Sequence, residues 1–93
     1  EKIVAHIQEG LQWLYQTKND VIVFAASGSG GMEASLVNTC SPGEKVLVVN
    51  GGKFGERFVN IAKKHNLVVT EIKVTWGSAI DPKIIQDKLS KAD

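Results

Sequence analysis

Val21-Ile-Val-Phe-Ala-Ala-Ser-Gly-Ser-Gly-Gly-Met-Glu-Ala (residues 21–34) is the stretch from which the rest of the chain can be read. Its first six residues form an unbroken apolar run, the pattern of a strand covered on both faces in a parallel sheet. Beyond it, Met32, Leu36, Val37 and Cys40 fall at helical spacing, and the stop signals Pro42 and Gly43 end that helix near Ser41-Pro42-Gly43. Between strand and helix lies the Gly/Ser turn Ser27–Gly31. Such a turn leaves backbone N–H groups at the helix N-terminus without intrahelical partners, where the helix dipole places about half a positive charge. That is an anion site in waiting, most often one for phosphate.

Working outward, Glu1–Tyr15 carries Ile3, Ile7, Leu11 and Leu14 at helical spacing, with Val4 and Tyr15 widening the stripe and Gln8, Glu9 and Gln12 facing out. Trp13 and Tyr15 are expected to pack against the sheet. Thr17–Asp20 turns the chain. Downstream, Lys45–Val49 reads as a second strand running into the permissive turn Asn50-Gly51-Gly52. Phe54, Phe58, Ile61 and Ala62 mark a helix to about His65-Asn66. Leu67–Val74 is a third strand, and the alternation of Glu71 and Lys73 with Ile72 and Val74 suits a sheet edge. Asp81-Pro82 is an N-cap followed by Pro at the first helical position, and Ile84, Ile85 and Leu89 are the expected buried face of the last helix.

The order is therefore α-β-α-β-α-β-α, with strands beginning near 21, 45 and 67. It predicts an α/β fold, three-layer αβα with a mainly parallel sheet and right-handed crossovers. In such a sheet the βα loops share the carboxyl edge, where ligands bind. Ser27–Gly31, Asn50–Phe54 and Thr75–Asp81 are the three loops concerned.

The 93 residues suffice for one small domain, 1–93. Eleven basic against ten acidic residues, scattered rather than striped, make nucleic acid a poor partner. No apolar run approaches the ~20 residues of a membrane span. A single cysteine, Cys40, fits a reducing, cytoplasmic setting and reads as packing. The start, Glu-Lys-Ile-Val, has neither an initiator Met nor a signal-peptide pattern and reads as a cut from a longer chain. No His/Cys cluster has metal-ligand spacing. His65 near a helix end suits the dipole there, His6 lies on the polar margin of the first helix, and Trp76 is expected to cover the sheet edge.

Two nucleotide motifs can be tested. A dinucleotide fingerprint requires a third small residue where Glu33 stands and an acidic residue where Asn50 stands, and a Walker A run requires Gly-Lys-Ser/Thr, which is absent. The combination Ala-Ser-Gly-Ser-Gly-Gly-Met-Glu-Ala (26–34), Ser-Pro-Gly-Glu-Lys-Val-Leu-Val-Val-Asn-Gly-Gly-Lys-Phe-Gly-Glu-Arg (41–57), Trp-Gly (76–77) and Asp-Pro (81–82) instead resembles the class V aminotransferases. These are fold-type-I pyridoxal phosphate enzymes, and the likeness is to the serine–pyruvate and alanine–glyoxylate branch, which includes soluble hydrogenase small subunits. It covers nearly the whole chain and implies a piece of the large, cofactor-binding domain.

The resemblance implies that Ser27, Gly28 and Ser29 form the cup for the phosphate of pyridoxal 5'-phosphate and that Phe54 stacks on its ring. Gly55, Glu56 and Arg57 match the start of the following helix, where structural roles are expected. In the family a lysine forms the Schiff base, an aspartate pairs with the pyridine nitrogen, a C-terminal arginine binds the substrate carboxylate, and a homodimer partner adds to the phosphate site. All are expected beyond Asp93, so no catalytic residue is assigned here and the segment alone should be inactive. The implied substrates are a small amino acid, such as alanine or serine, and a 2-oxo acid, such as glyoxylate or pyruvate. A cysteine desulfurase-type enzyme of the same fold, or a non-catalytic phosphate- or nucleotide-binding module, are the alternatives. In fold-type-I enzymes strands from later in the chain separate the first strand from the next two. Alone, the segment should therefore either close into a compact three-stranded sheet or leave an exposed, mobile first unit.

Overall fold

A computed structural model describes residues 2–91. The elements are α1 (Lys2–Tyr15), α2 (Gly28–Val37), β1 (Lys45–Asn50), α3 (Lys53–Lys64), β2 (Val68–Lys73) and α4 (Pro82–Ser90). β1 and β2 pair in parallel, in register from Lys45 opposite Val68 to Asn50 opposite Lys73. α3 connects them and packs on both, and α2 packs on α3. This is the expected α/β arrangement around a parallel sheet.

The buried core lies where α3 meets the sheet: Val59 and Ala62 on the helix, Leu67 just before β2, and Ile72 within it. Burying a Val, Leu or Ile side chain contributes about 1.5–3 kcal/mol, so this small cluster holds α3 to the strands. α3 ends cleanly. Asn66 takes the left-handed conformation (φ 62°), and Leu67 N–H donates back to Ala62 O at 3.0 Å. Asn tolerates that conformation and satisfies carbonyls at the helix end. α4 begins as expected, with Lys83 N–H donating to Asp81 Oδ1 at 2.9 Å.

Three expectations are corrected. The apolar run from Val21 is not a strand; it has no sheet partner among the described residues, and Ile22 is 80% exposed. Its extended chain is anchored at one point. The Gln8 side-chain amide donates to Val21 O at 2.7 Å and accepts the Val21 N–H, imitating one rung of a strand pair. The physical reason is that no described strand lies beside it: an apolar run can be covered on two faces but cannot supply its own neighbours. Of the two expected outcomes, the compact three-stranded sheet is the one the structure does not adopt.

Second, α1 and α4 pack against none of the other elements. Trp13 is 80% exposed and Tyr15, Ile3 and Leu14 are also exposed, so neither aromatic lies on the sheet. Ile84 and Leu89 on α4 are exposed as well. Third, α2 ends at Val37, earlier than Pro42 would require. Asn38 Nδ2 donates to Ala34 O at 2.8 Å and Thr39 Oγ1 donates to Ser35 O at 2.5 Å. These short polar side chains compete for the carbonyls of the last turn. Cys40 is half-buried and lines a hollow with Leu36, Pro42 and Leu67, as packing residues do.

Candidate functional site

The turn after residues 21–26 folds into α2 through its own cap. Ser27 is extended (φ −76°, ψ 169°), and its Oγ accepts the Gly30 N–H at 3.3 Å while its carbonyl accepts the Gly31 N–H at 3.3 Å. Those bonds occupy the third and fourth N–H groups of the helix. The first two, on Gly28 and Ser29, have no partner among the described residues. They are the groups a helix start presents to an anion. A Cβ on Gly28 would meet nothing within 4 Å, so the helix start is uncrowded at that position. Gly30 is different. A Cβ there would stand 2.9 Å from the Ala26 Cβ, so the helix start packs tightly on the preceding segment.

The second loop is shaped by Asn50, a buried polar residue at the end of β1. Its Nδ2 donates to Glu71 Oε2 at 2.7 Å, and its Oδ1 accepts the Gly52 N–H at 3.4 Å. One amide thus ties β1 to β2 and turns the chain into α3. Phe54, in the first turn of α3, is 66% exposed. Lys53 pairs with Glu56 at 3.3 Å on the exposed side.

Arg57 brings the two loops together. Its Nη1 donates to Ser29 Oγ at 2.9 Å, and its Cζ lies 5.1 Å from the Phe54 ring centroid. One guanidinium therefore touches one residue of each loop. A second tie, 2.8 Å between His65 Nε2 and Glu33 Oε1, joins the same helices further along. The two ties occur in the same order along α2 and α3, so both helix N-termini face one side. Ser27, Gly28, Ser29 and Phe54 accordingly share that side. No described contact joins the third loop, Thr75–Asp81, to them, and Trp76 there is exposed.

Sequence reasoning missed Arg57 and Asn50 as the residues that connect these loops. The spacing of Arg57, three residues after Phe54 on the same helix face, signals its contact with that ring but not its bond to Ser29. Among the described residues no group of three His, Cys, Asp or Glu side chains could hold a metal ion, and no helix is long and apolar enough to cross a membrane.

The chain is 39% identical over 87 residues, 94% of its length, to the soluble hydrogenase 42 kDa subunit of Anabaena cylindrica, of which it covers 23%. It is 37% identical over 67 residues, 72% of its length, to the L-aspartate–glyoxylate aminotransferase of Paracoccus denitrificans, covering 17% of that protein. No family model matches. Among solved structures, the alanine–glyoxylate aminotransferase of a Nostoc species superposes with a TM-score of 0.82 at 32% identity, over 90% of this chain and 22% of that one. The chain belongs to the class V aminotransferase family. Its fold is the corresponding piece of a fold-type-I aminotransferase. The chain spans about a fifth of the length of the curated class V relatives it matches.

Proposed function

We propose that this chain supplies the phosphate cup and the ring-stacking aromatic of a pyridoxal phosphate-dependent aminotransferase. The observation that carries the reading is the convergence of the two unpartnered N–H groups of Gly28 and Ser29, the Ser29 hydroxyl, the Arg57 guanidinium and the exposed Phe54 ring. The donor set fits the group. A phosphate dianion takes backbone N–H donors, a hydroxyl and a nearby cation. The pyridine ring takes a flat apolar face.

In this reading Gly28 and Ser29 bind phosphate oxygens, and Ser27 holds the helix start rigid by capping Gly30. Phe54 fixes the plane of the ring. Holding both ends of the cofactor orients its reactive carbon, while the cofactor itself acts as the electron sink for amino-group transfer. Each charge interaction with a helix end is worth about 0.3–1 kcal/mol when exposed, so the cup orients the cofactor and does not retain it unaided. The Schiff-base lysine belongs to a part of the protein outside this chain. Lys53, the lysine nearest the loops, is exposed and engaged with Glu56.

The names of the relatives support a small amino acid as donor and glyoxylate or a similar 2-oxo acid as acceptor; a homodimer is what the family resemblance implies. We place residues 1–93 within one cofactor-binding domain, and the uncovered apolar faces of α1 and residues 22–24 support a larger protein around them. The complete protein is expected to carry a visible cofactor absorbance that bleaches when alanine or serine is added. A complete protein that purifies colourless and stays so after addition of pyridoxal phosphate contradicts the proposal.

A further inference from the structure

We infer that Arg57 is the positioning residue that makes this site selective for a phosphorylated ligand, by holding the Ser29 hydroxyl and the Phe54 ring with one guanidinium. The inference rests on the pyridoxal phosphate reading above. Arginine has donors only, so Ser29 Oγ is the acceptor in the 2.9 Å bond. With that lone pair engaged, the Ser29 O–H is left to donate elsewhere, beside the unpartnered N–H groups of Gly28 and Ser29. The guanidinium thus selects a hydroxyl orientation suited to an oxyanion.

Charge points the same way. Arg57 is half-buried, and no carboxylate among the described residues lies within ion-pair distance of it. Its positive charge therefore adds, uncompensated, to the positive end of the α2 dipole. Arginine does not lose its proton in proteins. The 5.1 Å contact with the Phe54 ring is within the range of a cation–π attraction. It fixes the guanidinium over the ring and leaves the ring largely exposed. Lysine could supply the charge but not a planar fork that reaches a hydroxyl while lying on an aromatic face.

The test measures binding of pyridoxal phosphate and of phosphate-free pyridoxal to the complete protein and to its Arg57→Gln, Arg57→Lys, Ser29→Ala and Ser29→Ala/Arg57→Gln variants. Equilibrium dialysis gives the affinities and circular dichroism checks folding. Arg57→Gln is expected to weaken pyridoxal phosphate about 10- to 100-fold, the scale of one lost hydrogen bond involving a charged group. Pyridoxal should lose much less, so the ratio of the two affinities falls. The double variant should lose less than the product of the single losses, because the two groups act as a unit. If Arg57→Gln fails to fold, Arg57→Lys carries the test through the same ratio, with a smaller fall expected. An unchanged ratio with multiplicative losses is what a merely structural arginine gives, and it overturns the inference while leaving the cofactor reading intact. A complete protein that binds neither compound removes the cofactor reading, and this inference with it.

Discussion

At Gly55 the first turn of α3 comes so close to β1 that a Cβ would stand 2.8 Å from Asn50 Cα and 2.9 Å from Val49 O. Those are backbone atoms of a paired strand and cannot swing aside as a flexible side chain would. Gly55→Ala is therefore expected to lift α3 from the sheet and destabilise the chain by about 1–3 kcal/mol, the usual scale for overpacking. Urea unfolding should record a lower midpoint at an unchanged slope; an unaltered midpoint would mean that helix and strand are further apart. At this scale the sequence was partly legible. Ser27, Gly28 and Ser29 announce themselves because a Gly/Ser turn between an apolar run and a helix is a local pattern. Arg57 does not, because Ser29 lies 28 residues away and their bond exists only once α2 and α3 lie side by side. Asn50 is similar: it reads as a turn residue, and its bond to Glu71 depends on the parallel register of the two strands.

Among the elements, legibility divides along the same line. β1, α3 and β2 form where the patterns place them, since each finds its partner within the next few tens of residues. Residues 21–24 carry the strongest strand pattern in the chain and make no strand. Apolar continuity records that both faces can be covered; it does not say which strand lies alongside, and among the described residues none does. The helical stripe of α1 likewise reports an apolar face but not the surface that receives it. Amide exchange distinguishes the two kinds of segment. In the 93-residue chain, Val46–Val49 are expected to be protected and Ile22–Phe24 to exchange near the rate of an unstructured peptide. Equal protection of both would show that residues 22–24 have found a sheet partner.

For the whole molecule, the radius of gyration is 16.4 Å, against about 12 Å for a compact domain of this length. Mass is spread because α1 and α4 extend from the α2–β1–α3–β2 unit without packing on it. That unit is the part of the aminotransferase fold that brings the two candidate cofactor loops to one side. The other four-fifths of the relatives' length is not matched by this chain. The central claim is that the loop at Ser27–Gly31 is a pyridoxal phosphate cup and not a nucleotide site. Calorimetric titration of the complete protein with pyridoxal phosphate and, separately, with ATP tests it most directly, with Gly28→Val as the control that adds a branched side chain at the first residue of the helix. Saturable binding of pyridoxal phosphate, lost in Gly28→Val, with no measurable binding of ATP, is the expected result. Tight ATP binding that Gly28→Val abolishes, with no response to pyridoxal phosphate, would contradict it.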